Sequence, residues 1–410
     1  MSARSKFDFI VIGGGLPGLA AACCAARRGA EAALALTGHE APVEGRVAEP
    51  STSLWRLLEL HQYELVFEPP PQHVSLLEEG ALATGDDPAR VGRSLAARNP
   101  ELEQLWPAYA KEMARGGDKR RDGLERFLSA NALLDDYFDD EALKAHLVAA
   151  YVAPFGLSGD EAGSAEALFP LGGRRQRFVS GVALMRALTQ AAEAAGVEIV
   201  EDRLHSIARG EGKSWRVNFE GGRDIRARTA MASSAFAAEA FGLCVTTSGS
   251  PLARRKGVGA TIRLKYEKKP QALADWNRAV FHIADDRASL RVARDKMIEG
   301  ALPEAPPLSF EVNGKDIIAR MHFCPSRLVE NGEAREWTGQ DRQVLGRCVA
   351  GVLEKRLAVP VEVSEVLIGP DVEGGLARRD FLTPAIPAPP PSLNPINAAA
   401  ALAWELTERE

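Results

Sequence analysis

Three glycines near the start of the chain have the spacing to hold a phosphate. The stretch Gly13-Gly14-Gly15-Leu16-Pro17-Gly18 follows the β-branched and aromatic run Phe7–Ile12 and leads into the alanine-rich run Leu19–Gly29. That order reads as strand, glycine turn and helix, the context in which Gly-x-Gly-x-x-Gly binds a dinucleotide. Gly13 permits the tight turn, Gly15 lets the backbone approach a pyrophosphate, and Gly18 lets helix and strand pack closely. Leu16 and Pro17 stand in the first helical turn. Its N–H groups face the phosphates there, and the N–H that Pro17 lacks would be unpaired anyway.

Two further positions extend this site. Ala32–Leu36 reads as the second parallel strand, and Thr37 stands at its end, where an Asp or Glu normally accepts hydrogen bonds from a ribose. A threonine can bond a ribose hydroxyl, but without charge assistance. Gly45-Arg46 follows after a short loop. Arg46 could neutralise a pyrophosphate, and a solvated loop arginine is an equal reading on spacing alone. No other cluster carries chemistry. The seven histidines are scattered along the chain, so no catalytic base is assigned. The five cysteines are odd in number and lack metal-ligand spacing, so no metal site is expected; Cys23-Cys24 reads as a pair of small core residues, and the usage as that of a reducing cytoplasm.

The elements that position these residues need a large protein. The 410 residues leave room for two or three domains, with ordinary hydrophobic (46%) and charged (26%) contents. A net charge of −6 gives no support for nucleic acid as a partner. The glycines interrupt the N-terminal apolar run, so it is not read as a signal peptide, and no run of about 18 apolar residues offers a membrane span. Peripheral membrane contact stays open.

Along the chain, Ser53–Leu60 reads as a helix, His61–Phe67 as an alternating strand, and His73–Leu77 with Gly80–Ala83 as a hairpin. Pro88–Arg115 reads as two helices, with Pro100 and Pro107 near their starts, and Gly116–Gly123 as a break. Residues 124–150 have helical spacing and form a candidate substrate cap. Ser180-Gly181 opens the helix Val182–Ala195. A strand Val197–Val200 and a three-strand meander follow, over Leu204–Ala208, Ser214–Phe219 and Asp224–Met231. Beyond these come strands at Gly257–Tyr266 and Arg278–Ile283, a hairpin of Leu308–Asn313 and Asp316–Cys324, a helix Thr338–Leu357 and a strand Val361–Ile368. The proline-rich segment 383–395 precedes a final helix, Ile396–Glu408, with Asn394-Pro395 at its start.

This plan resembles the phytoene dehydrogenase-like branch of the FAD-dependent amine oxidase superfamily. The likeness rests on the glycine fingerprint, Gly45-Arg46 after the second strand, the helical cap, and the Ser-Gly-Val-Ala-Leu-Met-Arg-Ala-Leu helix running into Ala-Gly-Val-Glu-Ile. It covers most of the chain, best at residues 7–67 and 165–234. It implies an α/β fold: a Rossmann-type FAD-binding domain, a parallel sheet with a β-meander, joined to an interleaved α+β substrate domain with the helical cap. The expected segments are 1–67, 165–250 and 360–410 for FAD binding and 68–164 and 251–359 for substrate. Gly13, Gly15 and Gly18 match the family's FAD fingerprint, and Gly45-Arg46 matches the second half of its Gly-Gly-Arg, with Glu44 replacing the first glycine. Val200 and Leu204 fall where a family strand passes near the adenine. Asn394 and Asn397 begin a helix whose N-terminus could face a flavin carbonyl. The family's glycine-rich C-terminal turn is replaced, because no glycine follows Gly375.

The resemblance implies an FAD-dependent oxidoreductase that takes hydride from a small or hydrophobic organic substrate, with the flavin supplying the chemistry. A second fingerprint for NAD(P) is missing, so electrons would pass to oxygen, a quinone or a carrier. The alternative is a flavin-less binding or scaffold protein of the same fold, as the Rab GDP-dissociation inhibitors illustrate. A weaker third reading places NAD(P) in the N-terminal site.

Overall fold

The computed structural model describes residues 5–36, 46–119, 128–168, 177–233, 258–369 and 395–408, apart from 70, 79, 86, 166, 211–213, 277, 278 and 326. The chain divides into two compact units. One comprises Met1–Glu68, Arg177–Ala253 and Gly375–Glu410; the other comprises Pro69–Gln176 and Arg254–Gly374.

The first unit is built on β1 (Lys6–Ile12), α1 (Leu16–Arg27) and β2 (Ala32–Ala35). Phe9 to Ile12 are at most 1% exposed, which explains their unbroken apolar run: a parallel strand covered on both faces has no polar side. β1 pairs in parallel with β2 on one flank and with β11 (Asp224–Ala232) on the other, and β8 (Glu198–Val200) extends the parallel part beyond β2. β9 (Leu204–Arg209) and β10 (Trp215–Phe219) complete the sheet as an antiparallel meander, in the order β8-β2-β1-β11-β10-β9. A small second sheet joins β3 (Arg46–Ala48), β7 (Phe178–Ser180) and β4 (Phe67–Glu68). Ser180 caps α7 (Gly181–Ala194) by accepting from the Ala183 N–H. The last helix, α10 (Pro395–Glu408), packs along α1, which small side chains allow: Ala399 and Ala403 face a helix whose Ala20 to Ala25 stretch is fully buried. The Arg28 guanidinium lies 4.0 Å over the Trp404 ring.

The second unit holds a seven-stranded sheet, β18-β12-β15-β14-β13-β5-β6. Its strands are β5 (Gln72–Leu76), β6 (Ala81–Thr84), β12 (Val258–Lys265), β13 (Ala279–Ile283), β14 (Leu308–Asn313), β15 (Asp316–Cys324) and β18 (Glu362–Gly369). All neighbours are antiparallel except β5 and β13. β18 pairs with β12, so this strand belongs with the second sheet and not with the dinucleotide-binding segments among which the sequence reading grouped it. One face of the sheet joins the apolar residues of α9 (Gly339–Leu357) in a single core that includes Phe281, Phe310, Met321, Val349 and Leu353.

Several expected elements take a different form. His61–Phe67 is a short 3₁₀ turn (Leu60–Gln62) and a two-residue strand, because alternation alone makes no strand until β7 offers a partner at Phe67. Pro107 lies inside α4 (Pro100–Lys119), on its exposed side, and the helix runs through Gly116 and Gly117. The helical stretch of 124–150 is divided at residues 136–140 into α5 (Ala130–Asp135) and α6 (Glu141–Leu147), with Ser129 and Asp140 as N-caps. A π turn (Val148–Val152) follows α6. Helix α8 (Arg287–Glu299) was not foreseen, although Asp286 forms a capping box with Ser289 and Gly300 ends it at φ +77°. The hairpin of β16 (Leu328–Glu330) and β17 (Glu333–Arg335) was also missed; it turns on Asn331-Gly332, both at positive φ, a strong two-residue hairpin signal.

An ion cluster ties α8 to α5 and α6. Lys144, whose side chain is 7% exposed, pairs with Asp135 at 2.8 Å and Glu141 at 2.6 Å, and Arg287 pairs with the same two carboxylates at 2.9 and 2.8 Å. The hydrogen bond from Lys144 holds the Asp135 carboxyl below its ordinary pKa, and that from Arg287 does the same for Glu141. Replacing both acids (Asp135→Asn with Glu141→Gln) leaves a buried ammonium without a counter-charge. The expected loss is roughly 2 kcal/mol, below the value for a fully buried pair because the carboxylates reach solvent. An unchanged midpoint in urea unfolding would refute this.

Candidate functional site

The first unit's site forms where β1 ends. Ile12 hands over to Gly13 at φ +101°, a conformation that favours glycine, and the Gly13 N–H donates to the Ala35 carbonyl at 2.8 Å, tying the turn to the end of β2. Gly15 is the extended N-cap of α1. No side chain caps the helix, and its first turn contains no acid. The positive end of the helix dipole therefore meets no acid within its own first turn. Gly18 packs against the turn itself: a Cβ there would overlap the Gly13 carbonyl oxygen and lie 3.1 Å from its carbon and 3.2 Å from Ser233 Cβ. Close helix–strand packing is the reason for the third glycine.

The chain leaves β1 through α1 toward β2, while β11 lies on the opposite flank. The glycine turn thus sits at a reversal of strand order, where open α/β sheets bind ligands. β11 supplies a residue the sequence reading did not single out. Ser233, 6% exposed, donates its N–H to the Ile12 carbonyl at 2.8 Å and stands against Gly18. Its signal is its place just beyond the expected strand Asp224–Met231. A helix start with no acid in its first turn and the glycine packing fit a dinucleotide pyrophosphate, so Gly13, Gly14, Gly15, Leu16, Pro17 and Gly18 are the residues that would hold one.

The other expected positions are placed less fully. Thr37, Gly45 and Asn394 lie outside the described residues. The Arg46 backbone is in β3, paired with Ser180, and Asn397 is in the first turn of α10. Val200 and Leu204 are held beside the end of β2: the Leu36 N–H donates to the Val200 carbonyl at 3.5 Å, and the Leu204 N–H to the Leu36 carbonyl at 3.3 Å. The Cys23 and Cys24 thiols are pushed up to about 11 and about 12 by burial, so they remain protonated in the core of α1.

The histidines depart from expectation. They are scattered in sequence, yet His73, His146, His282 and His322 gather on one side of the second unit's sheet, and three of them are buried. Among the described residues no group of three or more His, Cys, Asp or Glu side chains is arranged to hold a metal ion, and no helix is long and apolar enough to cross a membrane.

No family model matches the chain, and no curated protein matches it in sequence. Solved structures do match. An oxidoreductase from Methanosarcina mazei is similar with a TM-score of 0.56 at 11% identity, over 98% of this chain and 100% of that one. A putrescine oxidase double mutant with redesigned cofactor binding is similar with a TM-score of 0.52 at 13% identity, over 99% of both chains. A Rab GDI from Plasmodium falciparum is similar with a TM-score of 0.52 at 7% identity, over 90% of this chain and 89% of that one. At these identities the likeness is one of backbone architecture. The chain has the α/β fold of the FAD-dependent amine oxidase-like structures, a fold shared by oxidoreductases and by Rab GDI.

Proposed function

We propose that the protein is an FAD-dependent oxidoreductase acting on a small or hydrophobic organic substrate. The observation that carries this is the uncapped start of α1 behind a glycine turn whose third glycine cannot accept a Cβ. Such a turn is built for close backbone approach to a pyrophosphate. A bound flavin would supply hydride-accepting chemistry, and the chain's own residues would bind, orient and shield it. The helix beginning at Ser180-Gly181 supports placement in the phytoene dehydrogenase-like branch, and a carrier, a quinone or oxygen would take the electrons onward. FAD is preferred over NAD(P) because the fold is that of FAD-dependent oxidases.

The first measurement is the visible spectrum of the purified protein, with and without added FAD. Flavin absorbance is expected at near-stoichiometric occupancy. In Gly15→Val the side chain blocks the backbone's approach, and FAD affinity is expected to fall at least about a hundredfold, or roughly 3 kcal/mol. Unchanged flavin content in that variant rejects the phosphate role of this turn. A folded wild-type protein that takes up no FAD supports a binding protein on the same fold, the alternative suggested by the absence of any glycine after Gly375.

A further inference from the structure

The second unit's sheet has two faces of opposite chemistry. Val74, Phe281, Phe310 and Met321 alternate onto the apolar core. Between them, facing the other way, come Ser75, His282, Ser309 and His322 from four consecutive strands. A polar face on such a sheet is normally solvated. This one is buried: Ser75 is 2%, His282 1%, Ser309 4% and His322 5% exposed.

Most of its polar atoms are paired. His146, on α6, shares hydrogen bonds of 2.8 Å with Ser75 Oγ through Nδ1 and with Thr84 Oγ1 through Nε2. Thr84 Oγ1 also bonds the Tyr151 hydroxyl of the π turn at 3.3 Å. Ser309 Oγ bonds His322 Nε2 at 2.8 Å. His73 Nδ1 bonds His282 Nε2 at 3.0 Å, and their rings stack with centroids 5.2 Å apart. His282 Nδ1 is buried and has no hydrogen-bond partner among the described residues. In either tautomer it leaves a donor or a lone pair unsatisfied in the interior, a condition native proteins rarely keep without cause.

Two of its imidazoles are also uncharged, and its charged side chain Arg320 is held in an ion pair. Burial draws the pKa of His146 and His282 far down, so both imidazoles are neutral, and the nearby Arg320 and Glu311 pair with each other at 2.9 Å. An ammonium or carboxylate entering here would lose its hydration and meet no free counter-charge among these groups; a hydroxyl or carbonyl would lose far less. A polar layer kept at a cost in stability, beside a π turn, is where sites are found.

We propose that this face binds a small uncharged ligand through a hydroxyl or carbonyl group, which completes the hydrogen bonding of His282 Nδ1, with the half-buried rings of His73 and Tyr151 beside it. The inference stands apart from the flavin reading, because every residue in it belongs to the second unit and its test reads no flavin.

The test is ring-¹⁵N histidine NMR of the full chain at neutral pH, titrated with three probes of similar shape: 2-propanol, isopropylammonium and isobutyrate. The expected result is a saturable shift of the His282 signals with 2-propanol, and affinities at least about tenfold weaker for both ions. His205→Gln, at an exposed position, should leave the response intact, and His282→Phe should remove it. The wild-type titration decides the matter even where His282→Phe fails to fold. No saturable shift with 2-propanol overturns the proposal, as does equal binding of isopropylammonium, or a resident water on Nδ1 that the alcohol does not displace.

Discussion

Gly18→Ala is expected to cost the protein its first unit. The added methyl would overlap the Gly13 carbonyl oxygen, and the neighbouring atoms are Gly13 backbone and Ser233 Cβ, none of them the mobile end of a long side chain. The clash can be relieved only by moving α1 off β1, which would open a core in which Phe9 to Ile12 and Ala20 to Ala25 are nearly or wholly inaccessible. The expected loss exceeds about 4 kcal/mol, in the range reached by overpacking of a rigid core. Gly29→Ala is the matched control. Gly29 has φ +93° but no atom within 4 Å of the place a Cβ would take, so it should lose only the backbone term of about 1–2 kcal/mol. Thermal and urea unfolding of the two variants separate steric overlap from backbone preference. A Gly18→Ala protein as stable as Gly29→Ala would show that the turn does not pack as described.

Acid should weaken the second unit well before its carboxylates titrate. His146 is fully buried, and its pKa falls from 6.5 to about 3, first through burial and then through the proximity of His73. His282 is lowered for the same reason, with His73, His146 and His322 adding to it. The folded imidazoles stay neutral while the unfolded chain binds protons below its ordinary histidine pKa, so the stability is complete above about pH 6.5 and is lost as pH falls toward the folded value. Each such histidine costs about 1.4 kcal/mol per pH unit, or roughly 2 kcal/mol by pH 5. The depressed carboxylates Asp135 and Glu141 run the other way in origin and matter only below about pH 4.5, so the interval from pH 6.5 to 5 reports the histidines. Urea unfolding across that interval should show a falling midpoint, and His146→Gln should flatten the fall by about one proton. A midpoint independent of pH from 7 to about 5 would mean that these imidazoles are not buried and neutral in solution.

The phosphate end of the site was legible from the chain because its parts are local. A buried strand, a turn and an uncapped helix follow one another within residues 6–27, and each is specified by its own apolar run, glycines and helix formers. The meander and the 308–324 hairpin were legible for the same reason, since antiparallel neighbours are adjacent in sequence. Helix α8 and the Asn331-Gly332 hairpin are equally local, specified by their own capping and turn residues. Nonlocal pairing is a different matter. Ser233 becomes part of the glycine turn only because β11 lies beside β1, more than 200 residues away in sequence. The pairing of β18 with β12 likewise depends on the whole sheet. The histidine layer shows the limit most plainly. Alternation such as His73-Val74-Ser75-Leu76 describes a sheet with one wet face, and nothing within a strand says that α6 and the π turn will cover it. Local residue order therefore determined the elements and the phosphate turn, because backbone conformation answers to near neighbours. Burial of His146, His282 and His322, and a His282 Nδ1 without a hydrogen-bond partner among the described residues, was decided by tertiary packing, because solvent access depends on what distant segments bring to the same face.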